Sequence, residues 1–363
     1  MSALFEPFKL RSVTLANRIA VSPMCQYSAV DGLANDWHLV HLGSRAVGGA
    51  GLVIVEATAV QDIGRISSHD LGLWCDAQIE PLRRITQFIE AQGSVAGVQL
   101  AHAGRKAGVS PPWYGKPGTV PQSAGGWVPV GPSAIAFDPK HTVPQVLDEA
   151  GIAQVIEDFV SATRRAVEAG FKVIELHGAH GYLLHQFLSP LSNQRRDQYG
   201  GCFENRIRLL LEVTQAVRAQ LPEDLPLVVR LSATDWVEDG WNPEETVELA
   251  KRLKALGVDL LDVSSGGTSS SAEIPVGPGY QTRFSDQIRR EAKIATGTVG
   301  LITEPAQAEH ILRTGQADLI LLARELLRDP YWPLHAADDL GANQVPWPAQ
   351  YVRAAHRDTP IRK

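Results

Sequence analysis

Short runs of β-branched and aliphatic residues recur along the chain, separated by stretches in which apolar residues return every three or four positions. Near-continuous apolar runs are typical of strands covered on both faces, as in parallel sheets. The predicted strands span residues 18–24, 51–58, 95–101, 173–177, 227–232, 260–264, 299–303 and 319–324.

The stretches between these runs predict amphipathic helices. Residues 150–169 have apolar side chains at Ile152, Val155 and Phe159, and Gly170 ends the pattern. Similar patterns cover residues 206–219, 243–256, 284–295 and 305–313. Strands alternating with helices imply parallel pairing through right-handed crossovers, and eight such units predict a closed (β/α)8 barrel. The rival, an open doubly wound sheet, usually has a Gly-rich turn after its first strand, and none follows residues 18–24.

Two connections are longer than the others, and both follow predicted strands. A Pro-, Gly- and Trp-rich insertion spans residues 103–147, and a second loop spans residues 181–201. Long βα-loops of a barrel lie at its active face. Because no linker divides the chain, residues 1–363 are expected to form one barrel domain. The tail from about residue 346 is expected to fray or to dock on a neighbouring subunit.

Composition narrows the possible functions. The 363 residues have a net charge of −6 without a basic block, which disfavours nucleic-acid and anionic-membrane partners. The three cysteines are dispersed, against a disulfide framework, a structural zinc site or a four-cysteine iron–sulfur cluster. No signal-peptide pattern or membrane-length apolar run is present, so a cytoplasmic protein is expected.

The fourth strand runs into the sequence HGAHGY, which contains His177, His180 and Tyr182. Two histidines three positions apart point to opposite faces of a straight strand, so they converge only if the chain turns after His177. Gly178 and Gly181 make such a turn easy. The pair is interpreted as hydrogen-bond donors to a substrate oxygen, with metal ligands and a structural role as the alternatives.

Charged and amide side chains also interrupt the apolar strands. A charged residue such as Arg230 in an apolar strand needs a partner. It is expected either to form an ion pair with Glu56 or Glu175 or to neutralise an anionic cofactor. Gln99 either bridges strands or contacts the edge of a heterocycle. Arg324, after the eighth strand, is placed where barrels often bind phosphate. Together these residues predict a barrel enzyme with a flat, anionic, phosphate-bearing cofactor.

Residues at the end of the first strand leave several roles open. Cys25 is either a buried residue or a nucleophile that needs a neighbouring base. Tyr27 and Tyr182 either pack as aromatic rings or donate a hydrogen bond or a proton.

Five blocks of sequence resemble the old yellow enzyme family over residues 4 to about 353. They are SPMCQYSA, VEATAV, VQLAHAGRKA, IELHGAHGYLLHQFLSPLSNQRRDQYGG and LLARELLRDPYWP. The pattern is most similar to the branch of bacterial xenobiotic reductases and thermophilic-like ene-reductases, which are NADPH dehydrogenases.

The resemblance implies non-covalent FMN, reduced by NADPH or NADH, that passes hydride to the β-carbon of an α,β-unsaturated carbonyl or nitro compound. It implies that Arg230 stabilises the reduced flavin, that Gln99 contacts its pyrimidine edge and that Cys25 tunes its potential. Ala323 stands where the family more often has glycine. The residues implied to contact FMN are Ser22, Pro23, Met24, Cys25, Ala57, Gln99, Arg230, Gly300, Leu301, Ile302, Ala323 and Arg324.

The resemblance further implies that His177 and His180 hydrogen-bond the substrate oxygen and that Tyr182 supplies the proton to the α-carbon. Tyr27 is implied to face the same oxygen. Residues 350–353 resemble a tail motif whose arginine reaches into the partner's site, so Arg353 is an expected substrate contact in a homodimer or a dimer of dimers.

Four other readings are weaker. A dienoyl-CoA-type flavin reductase would need an iron–sulfur cluster and further domains. A metal-dependent barrel lyase or hydrolase would use His177 and His180. A Schiff-base aldolase would need a lysine at a strand's carboxyl end, and Lys172 precedes its strand. A non-catalytic barrel that only binds a ligand would not explain the polar residues at the carboxyl ends of the strands.

Overall fold

Eight parallel strands close into a barrel in which each strand pairs with its neighbours in the sequence. The computed structural model describes residues 2–115, 117–355 and 359–362. The barrel strands are β1 Ile19–Val21, β2 Leu52–Ala59, β3 Val95–Ala101, β4 Val173–Gly178, β5 Leu227–Ser232, β6 Leu260–Ser264, β7 Ala295–Thr298 and β8 Leu319–Leu322. Pairing of β8 with β1 closes the ring, and the predicted (β/α)8 barrel is confirmed.

Helices follow the strands and cover the outside of the barrel. They are α1 Asp36–Val47, α2 Ile79–Ala91, α3 Glu149–Glu168, α4 Leu183–Leu188, α5 Phe203–Arg206, α6 Arg208–Gln220, α7 Pro243–Ala255, α8 Thr282–Ala292, α9 Pro305–Arg313, α10 Arg324–Arg328 and α11 Trp332–Asp339. Side-chain caps fix several starts: Asp148 accepts from Gly151 N, and Asn242 accepts from Glu245 N. The five predicted helices are confirmed to within a few residues.

Apart from the main core, a separate apolar layer fills the barrel interior at the amino ends of the strands. Leu52, Ile54, Val173, Val228 and Leu260 are almost completely buried in it. The antiparallel hairpin formed by Phe8–Leu10 and Val13–Leu15 adds Leu10 and Leu15 to the same layer. The barrel is therefore closed at this end, and a site has to lie at the opposite end, where the strands terminate.

The seventh strand was predicted wrongly. It spans Ala295–Thr298 instead of residues 299–303. Its threonines are buried, and a Cβ on Gly297 would lie 2.4 Å from Leu321 Cδ1, so close packing requires the small residue that weakens the apolar pattern. The apolar run after it forms a loop in which Gly300 and Leu301 have φ of 129° and 48°.

The two long connections differ in structure. Residues 103–147 are mostly irregular, with short 3-10 turns and a two-residue parallel pairing of Val130–Gly131 with Gln145–Val146. The expected loop at residues 181–201 instead begins with the buried helix α4. Leu183, Leu184 and Phe187 pack into the core there, which explains why this segment is not wholly a loop.

The C-terminal segment folds partly against its own chain. Trp347–Pro348 pairs with Ile361–Arg362, and Arg362 donates to the carbonyls of Gln92 and Val47, near the C-terminal ends of α2 and α1. Within the described residues, no helix combines the length and the apolar character needed to span a bilayer.

Candidate active site

The end of β4 brings two histidines and a tyrosine together. The ring centroids of His177 and His180 are 5.1 Å apart at 90°, and those of His177 and Tyr182 are 5.0 Å apart at 80°. The convergence expected from the sequence occurs because the strand stops at Gly178 and His180 takes a left-handed φ of 58°. Gly181 follows with φ 70°. A Cβ at this position would lie 2.2 Å from Gly267 O, so only glycine fits there.

Buried hydrogen bonds fix this turn. His180 N donates to Ser232 Oγ at 2.9 Å, and Gly181 N donates to His185 Nδ1 at 2.9 Å. His185 in turn lies 3.0 Å from Asp235, and both side chains are fully buried. These buried contacts hold the left-handed turn in place, and with it the position of His180.

The titratable groups of this turn are held in their neutral forms. Burial, reinforced by the nearby Arg230, lowers the pKa of His177 and His180 well below the usual histidine value. Burial raises the pKa of Tyr182 above its usual value. At neutral pH the group therefore consists of two uncharged imidazoles and a protonated phenol, each able to donate a hydrogen bond.

Lys106 belongs to the site and was missed by the sequence reasoning. Its Nζ donates to His180 O at 2.9 Å and to Gly267 O at 3.0 Å, and lies 5.0 Å from the ring centre of Tyr182. Burial lowers its pKa to about 8. The sequence feature that could have indicated its role is its position as a basic residue in the loop directly after a barrel strand.

The segment after β1 forms the facing wall. Cys25, Tyr27 and Tyr182 pack on a small apolar cluster that includes Ala57 and Ala101. Tyr27 has φ 48° and meets Trp113 edge to face with centroids 5.8 Å apart. Burial raises the pKa of Cys25 well above the usual thiol value, with smaller contributions from Asp70 and Glu56. The thiol form is favoured, and a thiolate nucleophile is disfavoured.

The first residues of this segment join it to the barrel. Ser22 N donates to Leu322 O at 3.0 Å, which ties the end of β1 to β8. Pro23 and Met24 are half-buried, and Met24 packs on the main core.

A polar layer lies in the barrel interior below the histidines. Gln99 Nε2 donates to Glu175 Oε1 at 2.7 Å, and Arg230 Nε lies 3.0 Å from Asp262 Oδ2 without an aligned hydrogen bond. The prediction that Arg230 pairs directly with Glu56 or Glu175 was wrong. Its ion-pair partner is Asp262, which stands opposite Arg230 in the pairing of β6 with β5. Burial, then the charge of Asp262, raises the pKa of Glu175 to about 8.

A cleft that is open to solvent lies beside this layer, between the ends of β6, β7 and β8; its empty space, including the part open to solvent, is about 580 Å³. It is lined by Ser264, Tyr280, Gln281, Val299, Gly300, Leu301, Ile302, Thr303, Ala323, Arg324 and Arg230, among others. Tyr280 and Gln281 were not predicted from the sequence, because they lie in a loop before α8 with no apolar pattern.

The floor of the cleft suits an anion. Arg324 lines it together with the loop of Gly300 and Leu301, whose positive φ values turn the backbone sharply, and an arginine beside a turn after a barrel strand suits phosphate. A Cβ on Gly300 would lie 2.9 Å from Tyr280 Cε1, so glycine is required. Ala323 has φ −106°, open to any L-residue, so the absence of glycine there causes no strain in φ.

Two predicted features are not assembled with the others. Arg353 lies in an exposed turn after Ala349–Tyr351, and Tyr351 Oη is 3.0 Å from Tyr331 Oη on the outside of the barrel. Among the described residues, no three His, Cys, Asp or Glu side chains are grouped to hold a metal ion. The metal-dependent lyase or hydrolase is therefore not favoured.

Neutral hydrogen-bond donors and a buried guanidinium, at the strand ends beside a cleft that Arg324 also lines, define the class as a (β/α)8 enzyme that suits an anionic cofactor. A sequence profile of the NADH:flavin oxidoreductase / NADH oxidase family matches residues 3–343, and the chain belongs to this family.

Relatives and solved structures agree with this assignment. An NADPH dehydrogenase of Listeria innocua is 51% identical over 356 residues, covering 98% of this chain and 99% of the relative. Morphinone reductase superposes with a TM-score of 0.78 at 28% identity, over 94% of this chain and 90% of the other. An old yellow enzyme homologue from Zymomonas mobilis gives 0.77 at 29% identity, over 93% of each chain.

The kinship with old yellow enzymes expected from the motifs is confirmed. The chain is an oxidoreductase whose cofactor is FMN and whose reductant is a nicotinamide nucleotide.

Proposed function

We propose that this protein is an FMN-dependent ene-reductase acting on α,β-unsaturated carbonyl or nitro compounds. The observation that carries the proposal is the group formed by His177, His180 and Tyr182, three neutral donors converging at one barrel opening. When bound, FMN would accept hydride from NAD(P)H and deliver it to the β-carbon of the alkene.

The residues of the cleft fit FMN. Arg324 and the backbone of Gly300, Leu301 and Ile302 would hold the phosphate, with Ala323 beside it. Arg230 is buried with its Nε unpartnered by a hydrogen bond, and would balance negative charge on the flavin. Gln99 would use the amide atoms not committed to Glu175, and residues 22–25 and Ala57 would form the apolar wall.

The two histidines would stabilise charge that develops on the substrate oxygen. Donors that are already oriented at such an oxygen contribute about 3 kcal/mol each in comparable sites. A neutral imidazole suits this role, because it donates without carrying a full charge into a buried site. Tyr27 would add a further donor from the facing wall.

Tyr182 is the proposed source of the proton for the α-carbon. Its raised pKa keeps the phenol protonated at neutral pH, which is the state required of a general acid. Lys106, 5.0 Å from the ring centre, would stabilise the phenolate left after transfer. Cys25, a buried thiol, would adjust the flavin's redox potential instead of attacking the substrate.

NADPH is the proposed reductant, with NADH as the alternative, because the relative from Listeria innocua is an NADPH dehydrogenase. We also propose that the whole chain is one FMN domain and that two copies associate, with the cytoplasm as their location. Exposed apolar residues on α1, Trp37 at 57% and Val40 at 67%, support association. Arg353 would then contact substrate in the partner's site.

The experiment that tests the proposal separates the two half-reactions in Tyr182→Phe. Flavin reduction by NADPH should proceed as in the wild type, whereas reduction of a cyclic enone should slow by roughly 10²–10⁴-fold. Equal slowing of both half-reactions, or of neither, would exclude Tyr182 as the proton donor. A purified protein with no bound FMN that contains zinc would instead support the metal-dependent alternative.

A further inference from the structure

The two ring nitrogens of His180 have different surroundings. Nε2 lies 2.7 Å from Ser264 Oγ at the end of β6, which leaves Nδ1 as the nitrogen free for a ligand. Burial and the nearby Arg230 keep the ring uncharged, so it carries one proton. If that proton is on Nδ1, His180 donates to a ligand oxygen. If it is on Nε2, a lone pair faces that oxygen and repels it.

The hydroxyl of Ser264 decides between the two forms because it has a single proton and two acceptors. One acceptor is His180 Nε2 at 2.7 Å, and the other is Gln281 Oε1 at 3.3 Å. A hydroxyl that donates to His180 requires an unprotonated Nε2 and therefore places the ring proton on Nδ1. A hydroxyl that donates to Gln281 accepts from Nε2–H and produces the opposite tautomer.

Gln281 is held so that it competes weakly for this proton. Its Nε2 donates to Val299 O at 2.7 Å, and since a carbonyl can only accept, the amide cannot be flipped. Its Oε1 accepts from Ser265 Oγ at 2.6 Å. The amide oxygen has two acceptor positions, and Ser265 occupies one of them through the shorter bond. Ser264 Oγ lies 3.3 Å from this oxygen but 2.7 Å from His180 Nε2, which favours donation to the ring.

His177 provides the contrast. Its Nδ1 accepts from the backbone N–H of Ala179 at 3.3 Å, which leaves the ring proton on Nε2. A backbone amide can only donate, so the tautomer of His177 is fixed. A hydroxyl can donate or accept, so the tautomer of His180 depends on the groups around Ser264.

We infer that Ser264 is a positioning residue that holds His180 in its Nδ1–H tautomer, with Ser265 and Gln281 directing the Ser264 proton toward the ring. The tautomer follows from the contacts of this chain alone. Its consequence, a donor aimed at the substrate oxygen, rests on the proposed function.

The tautomer is measured by nitrogen NMR of the imidazoles in FMN-loaded protein labelled with ¹⁵N-histidine, with His180 assigned by its loss in His180→Asn. The wild type should show a protonated Nδ1 in His180 and a protonated Nε2 in His177. Ser264→Ala should move the His180 proton to Nε2 for much of the population, and Ser264→Thr, which keeps a hydroxyl, should restore it.

Ser265→Ala provides a second route that leaves the Ser264 hydroxyl in place. Removing the bond to Gln281 Oε1 should draw the Ser264 proton toward the amide and produce a mixture of tautomers. Ser232→Ala is the matched control, because Ser232 contacts the backbone of His180 and not its ring. In this variant the His180 tautomer should match that of the wild type. A wild-type His180 protonated on Nε2, or an unchanged tautomer in both Ser264→Ala and Ser265→Ala, would overturn the inference.

Titration of the same proteins with a para-substituted phenol separates this inference from the proposed function. Ser264→Ala should weaken phenol binding by roughly tenfold, the loss of one hydrogen bond. A change of tautomer without any change in phenol affinity would support the positioning of His180 by Ser264 and would contradict the donor role of His180.

Discussion

At the amino ends of the strands the barrel interior is filled by aliphatic side chains, whereas one layer higher Gln99, Glu175, Arg230 and Asp262 are buried together. The side chains of both layers are buried, but only the lower layer gains free energy simply from leaving water. The upper layer includes one guanidinium and two carboxyl groups, of whose four buried oxygens three, Glu175 Oε2 and both of Asp262, have no hydrogen-bond partner. Burial of such a group is costly and indicates selection for chemistry at the site above it.

The largest effect is expected from removing the single cation of the upper layer. Arg230→Met leaves Asp262 buried without its partner, and the free energy of unfolding should fall by about 3–5 kcal/mol. FMN affinity should fall as well. Denaturant unfolding in the presence and absence of FMN measures both effects, and Arg230→Lys, which keeps the charge, should lose less. Wild-type stability in Arg230→Met would show that the upper layer does not depend on this ion pair.

A pH-dependent effect is expected from Glu175. Its pKa is raised from about 4.5 to about 8, so the folded protein holds this proton where the unfolded chain releases it. The corresponding stability is complete below pH 4.5 and is lost as the pH rises through about 8, on the order of 2–4 kcal/mol. Relative to the wild type, Glu175→Gln should therefore gain stability between pH 5 and pH 8. A constant difference across this range would mean that Glu175 is ionised throughout.

A smaller effect is expected at Lys106, whose ammonium joins the carbonyls of His180 and Gly267. Lys106→Met should weaken phenol binding by about 1–1.5 kcal/mol, because the turn that carries His180 loses two hydrogen bonds. FMN affinity should stay near the wild-type value, since Lys106 is not among the residues of the cleft. Loss of FMN together with phenol binding would place the role of Lys106 in the cleft instead.

The smallest effect is expected in the lower layer. Ile54→Val removes one buried methylene and should cost about 0.5–1.5 kcal/mol of unfolding free energy. FMN affinity and alkene reduction should be unchanged, because the apolar layer lies below the polar one. A change in FMN affinity comparable to that of Arg230→Met would remove the distinction between the two layers.

These layers also mark how far the sequence predicts the structure. Seven barrel strands follow from apolar runs, because strands buried on both faces need such side chains. The seventh strand escapes this rule, since Gly297 and the buried Thr296 and Thr298 satisfy packing without a long apolar run. Histidine convergence was predictable from spacing and glycines near His180.

Other parts of the site depend on contacts between distant segments. The pairing of Arg230 with Asp262 needs the register of β5 on β6, which no local pattern specifies. Lys106 enters the site through hydrogen bonds to residues 74 and 161 positions away. The proton on His180 depends on Ser264, Ser265 and Gln281, which only the closed barrel brings together.

The proposed function depends on His177 and His180 donating hydrogen bonds to an oxygen of the bound substrate. The most direct measurement is an absorption titration of the FMN-loaded protein with a para-substituted phenol, compared among the wild type, His177→Ala and His180→Ala. All three proteins should retain FMN, and phenol affinity should be at least tenfold lower in each variant than in the wild type. Equal phenol affinity in the three FMN-loaded proteins would contradict this role of the two histidines.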